Sequence, residues 1–187
     1  ERNNDAESVS RMIENILLSS KYGDSEKTIF TGKTIKMLEE NENTDLFASI
    51  LFELYSNTEE YAKANDIENR HPQRIQENTR LLRYRIRNRY EASNLNPETK
   101  TEQMNAIRSI LDSYQNILSE SEVHQELGNL CTAPENAWFQ DCILSVYSDS
   151  TELISAADFY SKYGNKRAAG DIYLTIREYS KAAEMFD

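Results

Sequence analysis

The chain has 187 residues, 39% of them hydrophobic and 28% charged, with a net charge of −11. That is enough apolar material for a real core, which excludes a disordered chain, and the acidic balance argues against general binding to nucleic acid or anionic membrane. Five glycines and three prolines are too few for a protein built on tight β-turns, and no apolar run approaches the ~20 residues that cross a bilayer.

In AESVSRMIENILLSSK the apolar positions Val9, Met12, Ile13, Ile16 and Leu17 follow helical i, i+3, i+4, i+7 spacing, with Asp5 or Ser8 as the cap. SEKTIFTGKTIKMLEE continues through Ile29, Phe30, Ile35 and Leu38, weakened by Gly32. The acidic, Asn-rich EENENTD at 39–45 interrupts as a loop and offers Thr44 or Asp45 as the next cap. LFASILFELYSNTEEYA then reads as one strongly amphipathic helix through Leu46, Phe47, Ile50, Leu51, Leu54 and Tyr61. NDIENRHP breaks it, and Pro72 stands where a first-turn proline belongs, opening a helix that reaches Ser93.

At NLNP the chain restarts, with Asn96 as cap and Pro97 as the first residue of a helix carrying Met104, Ile107, Leu111, Tyr114 and Leu118. A shorter piece holds Val123, Leu127 and Leu130. Pro134 opens the next, with Trp138, Cys142, Val146 and Tyr147 in phase. From Ser150 onward three short helices are separated by YGN and RE, with Gly164 placed just past a helix end and Asn165 as the following cap. All three prolines fall at boundaries and the connections are short. The fold class is therefore all-α, with mostly antiparallel neighbouring helices.

One segment tests that reading. Residues 70–90 hold seven arginines against a single acid, Glu77, a local charge of +6 that leaves −17 for the remainder. In LLRYRIRNRY, Arg83, Arg85, Arg87 and Arg89 alternate as on a strand, with Tyr84, Ile86 and Tyr90 on the other face. A strand needs a partner, and no second convincing strand exists in the sequence. On a helix, Ile75, Thr79, Leu82, Ile86 and Tyr90 share an arc of roughly 80°. Arg80, Arg83 and Arg87 then gather on one flank, and Arg85 and Arg89 lie along the other edge with their guanidinium groups outward. The helix is the better reading.

Arg80, Arg83, Arg85, Arg87 and Arg89 are accordingly candidate contacts to an acidic protein partner, because guanidinium forks match carboxylates. Two other readings stand beside this one. The row is a solvated or internally paired face, or the arginine-rich helix 74–90 binds RNA or DNA, with Tyr84 and Tyr90 as stacking groups.

Little else points to chemistry. TGKT at 31–34 resembles the end of a phosphate-binding loop, yet Lys27 stands where that loop needs its first glycine. His71 and His124 lie far apart with no metal-ligand spacing around them, and EENENTD lacks the glycine and closing glutamate of a calcium loop. No local nucleophile–base pair is visible. The expectation is a protein that is not an enzyme, with no cofactor, no metal and no membrane insertion. Cys131 and Cys142 read as reduced, buried thiols of an intracellular protein, cytoplasmic or nuclear. Trp138 and Phe139, the bulkiest apolar pair, are assigned to the core.

The last third, AADFYSKYGNKRAAGDIYLTIREYSKAAEMFD, repeats a small pair followed by an aromatic: Ala156-Ala157 with Tyr160, Ala168-Ala169 with Tyr173, Ala182-Ala183 with Phe186. Small residues let helix backbones approach, and the aromatic one turn later fills the remaining space. Gly170, Tyr173, Ala182 and Phe186 fall at the spacings of the tetratricopeptide repeat, which the final hairpin resembles. Lys166 and Ala169 stand where that family has its tryptophan and leucine. The stretch also looks like the looser helical solenoids of coat, ciliary-transport and nuclear-pore scaffolds.

That resemblance implies stacked antiparallel helical hairpins as an α-solenoid, tetratricopeptide-like at the C-terminal end, with repeat packing through these four residues and with other proteins and neighbouring repeats as partners. It implies a non-catalytic scaffold or adaptor segment of a larger multi-subunit intracellular assembly of coat, transport or nuclear-pore type. The expected organisation is a helical region 1–130 carrying the basic island 70–90, then tetratricopeptide-like hairpins over 131–187. With no initial methionine and an apolar pattern still running at Asp187, the expectation is a segment whose edge is covered by a further repeat.

Overall fold

Residues 8, 9, 11–13, 15, 16, 22–40, 44–116, 121–147 and 152–187 are described by a computed structural model. Every regular element among them is helical: α1 (Asp24–Glu39), α2 (Thr44–Asn57), α3 (Tyr61–Arg70), α4 (Pro72–Gln76), α5 (Leu82–Leu95), α6 (Lys100–Asn116), α7 (Ser121–Thr132), α8 (Trp138–Val146), α9 (Leu153–Lys162), α10 (Lys166–Thr175) and α11 (Tyr179–Phe186). Short 3-10 turns lie at Thr79–Leu81, Pro97–Thr99 and Pro134–Asn136. Residues 8, 9, 11–13, 15 and 16 are helical as predicted; Leu17 and Leu118 lie outside the described residues. The chain divides into two units, Glu1–Tyr84 and Arg85–Asp187, the division falling within α5. The sequence-based division at 130/131 lies inside the second unit.

In the first unit α1, α3 and α4 pack on α2. Ala48, Leu51, Phe52, Leu54 and Tyr55 of α2 are buried there. α1 buries Thr31, Thr34, Ile35 and Leu38. Ile29, expected inside, faces out because it lies roughly 160° round the helix from that stripe. The inward threonine costs little, since the Thr34 hydroxyl donates to the Phe30 carbonyl at 2.9 Å.

Two predicted long helices are each broken. Glu59 takes a left-handed φ of 62°. The Glu60 N–H then closes on the Tyr55 carbonyl at 2.9 Å, which stops α2 and lets Tyr61 begin α3 with its ring in the core. Pro72 is the first residue of α4, as predicted, but the chain breaks again at Glu77 and Asn78. There the Asn78 side chain accepts the Arg80 N–H at 3.2 Å and starts a new turn. Buried Tyr55 donates its hydroxyl to the Glu39 carboxylate, and Lys63, paired with Glu60 at 2.6 Å, sits over its ring. One side chain thus joins the end of α1 to the start of α3.

The second unit is organised around aromatic rings. Asn96 caps the turn into α6, whose Met104, Ile107, Leu111 and Tyr114 face inward as their spacing predicts. Arg108 of α6 holds Glu152 with two bonds of 2.8 Å and donates to the Val146 carbonyl at 2.5 Å. It therefore ties the end of α8 to the start of α9. Phe139 is fully enclosed, with ring centroids of Trp138, Phe159 and Tyr160 at 5.7, 6.1 and 6.4 Å. Between α9 and α10, Gly164 adopts φ 90° and Asn165 caps, both as predicted. The Asn165 amide works in two directions: its oxygen accepts Ala168 N–H at 3.0 Å and its nitrogen donates to the Cys131 carbonyl at 2.6 Å. That residue holds α7, α9 and α10 together. α10 lies on α9 and α11 on α10, as stacked helix pairs.

Candidate interaction surfaces

The arginine stretch does not form the expected continuous seam, because the break at Asn78 resets the helical phase. On the restarted helix Leu81, Leu82, Arg85, Ile86, Asn88 and Ser93 are buried, an arc of roughly 160° at 100° per residue. Arg85 falls near the middle of that arc. It is 4% exposed, donates to the Tyr114 hydroxyl at 3.2 Å and lies over that ring at 5.7 Å. Arg89 is half-buried.

Arg80, Arg83 and Arg87 point the other way. Arg80 is exposed and the other two are half-buried. At 100° per residue the three fall within roughly 60° of one another, opposite the buried arc. None of their guanidinium groups makes a hydrogen bond or ion pair with the described residues. Tyr90, considered as a stacking group for a base, has its ring against Trp138 at 6.1 Å.

At the C-terminal end, Gly170, Tyr173 and Ala182 are buried in the packing of α9, α10 and α11. The Tyr173 hydroxyl donates to the Asp158 carboxylate, and the Phe186 ring rests on Gly170, so close that a Cβ there would stand 2.6 Å from Cζ. The sequence spacing picked out four residues, of which Gly170 and Phe186 touch and Tyr173 and Ala182 are buried. It carried no signal for the Arg108 clamp or for the second bond of Asn165, whose partners are 44 and 34 residues away.

The chemistry-bearing residues are dispersed. TGKT lies inside α1, with Thr31 and Thr34 turned inward. His124 lies tilted against the Tyr163 ring, centroids 5.2 Å apart, and His71 joins α3 to α4. Among the described residues no group of three His, Cys, Asp or Glu side chains is placed to hold a metal, and no helix is long and apolar enough to cross a membrane. Phe139 is in the core as expected, while Trp138 is half-buried.

Cys131 and Cys142 are free and buried, as the sequence suggested. Burial pushes the Cys131 thiol up to about 12 and raises Cys142 as well. Below the ordinary thiol value, about 8.5, both states hold their protons and stability is unaffected. Above it the unfolded chain ionises while the folded chain does not. Stability should then fall by about 1.4 kcal/mol per thiol per pH unit. The check is Tm between about pH 8 and about pH 10 for the native chain and for Cys131→Ala/Cys142→Ala, the difference isolating the thiols. A native chain that loses no more than the variant would mean the thiols reach solvent.

No protein-family model matches the chain, and no curated protein or solved structure does.

Proposed function

We propose that the chain is a non-catalytic scaffold or adaptor segment of a multi-subunit intracellular assembly. It is built as a stack of helical hairpins of the solenoid kind, tetratricopeptide-like at its C-terminal end, and holds an acidic protein partner on Arg80, Arg83 and Arg87. The observation that carries this reading is three guanidinium groups on one helix face with no carboxylate from the described residues, in a chain of 32 acidic residues. A carboxylate-bearing surface would satisfy them with charge-assisted bonds worth about 1.5–3 kcal/mol each. Buried Arg85 is outside this set and serves the fold. The stacked helix pairs of α9, α10 and α11, closed by Gly170 and Phe186, support the scaffold part of the reading. The coat, transport or nuclear-pore setting rests on the sequence resemblance.

The test is affinity capture from a cell lysate with the native chain and with Arg80→Glu/Arg83→Glu/Arg87→Glu, each with and without nuclease. Protein partners that survive nuclease and bind the variant at least about 100-fold more weakly are expected, with affinity falling as salt rises. Recovery of RNA that the variant loses would move the row to nucleic acid. Equal capture by both proteins, with circular dichroism unchanged, would reduce the row to a solvated face.

A further inference from the structure

The geometry of the arginine row narrows what it can hold. Arg80 stands in the turn Thr79–Leu81, and Arg83 and Arg87 follow on α5, so the helix itself sets their spacing. From the first to the last the rise is roughly 10 Å. Arg83 and Arg87, at i and i+4, are neighbours on that surface. Their Nε atoms are shut off from solvent without a hydrogen-bond partner, whereas their Nη atoms are not shut off. Each therefore presents the outer edge of its fork, and the two edges can close on one anion between them.

Carboxylates bound the row. Glu91 stands one turn past Arg87, within roughly 80° of all three arginines around the helix axis, and pairs with none of them. At the other end Glu77 precedes the break before Arg80, its carboxylate accepting from Gln73 Nε2 at 3.0 Å. Outside 70–90 the chain carries −17. The positive field is therefore confined to the row. Charges are screened over about 8 Å at physiological salt, so a ligand whose charge sits in one group feels the three cations. A nucleic-acid strand, an anionic bilayer or a long acidic stretch carries its charge onward, against Glu91 and the acidic remainder.

We propose that the row recognises a phosphorylated serine or threonine of the partner protein. This rests on the reading of Arg80, Arg83 and Arg87 as a protein-docking face and goes further by naming the group they take. A phosphoryl group gathers a charge of about −1.5 to −2 and three acceptor oxygens in one place. A carboxylate brings a single charge and two oxygens, enough for one fork. The phosphoryl oxygens accept from the Nη edges of Arg83 and Arg87 together, and Arg80, one turn back, adds a third cation. Docking then depends on whether the partner carries the phosphate.

The probe is a short fluorescein-labelled peptide of glycine and serine with one central phosphoserine, titrated into the native chain by fluorescence anisotropy. Companion peptides carry serine, one glutamate or three consecutive glutamates at that place. Saturable binding of the phosphopeptide below ~1 mM is expected, at least about 10-fold tighter than that of either glutamate peptide. Arg83→Lys/Arg87→Lys keeps the charge and removes the forks, and should weaken it at least about 5-fold. Arg80→Gln, at an exposed position, should weaken it at least about 3-fold, with circular dichroism unchanged. If the three-glutamate peptide binds as tightly as the phosphopeptide, this inference falls and the carboxylate reading of the row stands. If no peptide binds by ~1 mM, or all three proteins bind the phosphopeptide equally, the inference falls and the capture experiment alone decides the row. An oligouridylate that binds more tightly than the phosphopeptide overturns it in favour of nucleic acid.

Discussion

Replacing Phe139 with alanine should destabilise the protein by about 3–5 kcal/mol, whereas Trp138→Ala, one residue away, should cost roughly half as much. The two side chains are adjacent in sequence and similar in bulk, and only their surroundings separate them. Phe139 is completely enclosed, and three rings meet its own at centroid distances of 5.7 to 6.4 Å. Those neighbours are not free to collapse into the space it would leave. Phe159 and Tyr160 belong to α9, whose start is held by the Arg108–Glu152 bridge and whose end runs into the turn capped by Asn165. The cavity therefore persists, and its cost adds to the lost transfer energy. Trp138 is half-buried against Tyr90, so its removal returns a site already partly wet to water. Urea midpoints for the two variants, followed by far-ultraviolet circular dichroism, give the comparison. Equal losses would mean that the core is not centred on Phe139.

That contrast also marks where sequence reasoning stops. A 3.6-residue period states that an element is helical and which side is apolar, and here α2 and α6 follow it. Prolines 72, 97 and 134 and Gly164 mark boundaries for local steric reasons, and all four stand at them in the structure. The breaks at Glu59 and Asn78 carry weaker local signals. Any residue can take the left-handed conformation when the backbone bond it closes repays the strain, and asparagine caps compete with helix continuation only when the next turn has somewhere to pack.

Arg85 shows a different limit. The helical reading placed it on the edge of the seam with its charge outward, but the buried side of the restarted helix extends past that edge to Leu81 and Asn88, so Arg85 lies inside it, where Tyr114, 29 residues later, meets it. No local pattern encodes that meeting. Conversely Thr31 and Thr34 are buried while Ile29 and Met37 are exposed on the same helix, a choice made by the neighbours of α1 and not by its own composition. The row Arg80, Arg83 and Arg87, by contrast, was visible in sequence as one flank.

Gly170→Leu should cost about 2–3 kcal/mol, and the loss should depend on Phe186. At Gly170 an ideal Cβ would lie 2.6 Å from Phe186 Cζ and 2.9 Å from both Cε atoms, closer than real side chains approach. A leucine must therefore expel the ring or lift α11 from α10. Because the ring is already half exposed, the first response is open to the smallest substitution. Gly170→Ala trades the ring's seat for the gain of about 1 kcal/mol that alanine brings to a helix interior, and should be near neutral. Leucine adds atoms that a displaced ring cannot accommodate, so the seam that buries Ala182 must open. In a Phe186→Ala background the obstacle is gone. There Gly170→Ala should stabilise by about 1 kcal/mol and the leucine penalty should shrink below about 1 kcal/mol. Amide exchange resolved along α11 distinguishes the two responses, since only an opened seam makes its amides exchange early. A leucine penalty that is absent, or that survives unchanged without the ring, would separate Gly170 from Phe186 and remove the contact on which the repeat-like packing of this hairpin rests.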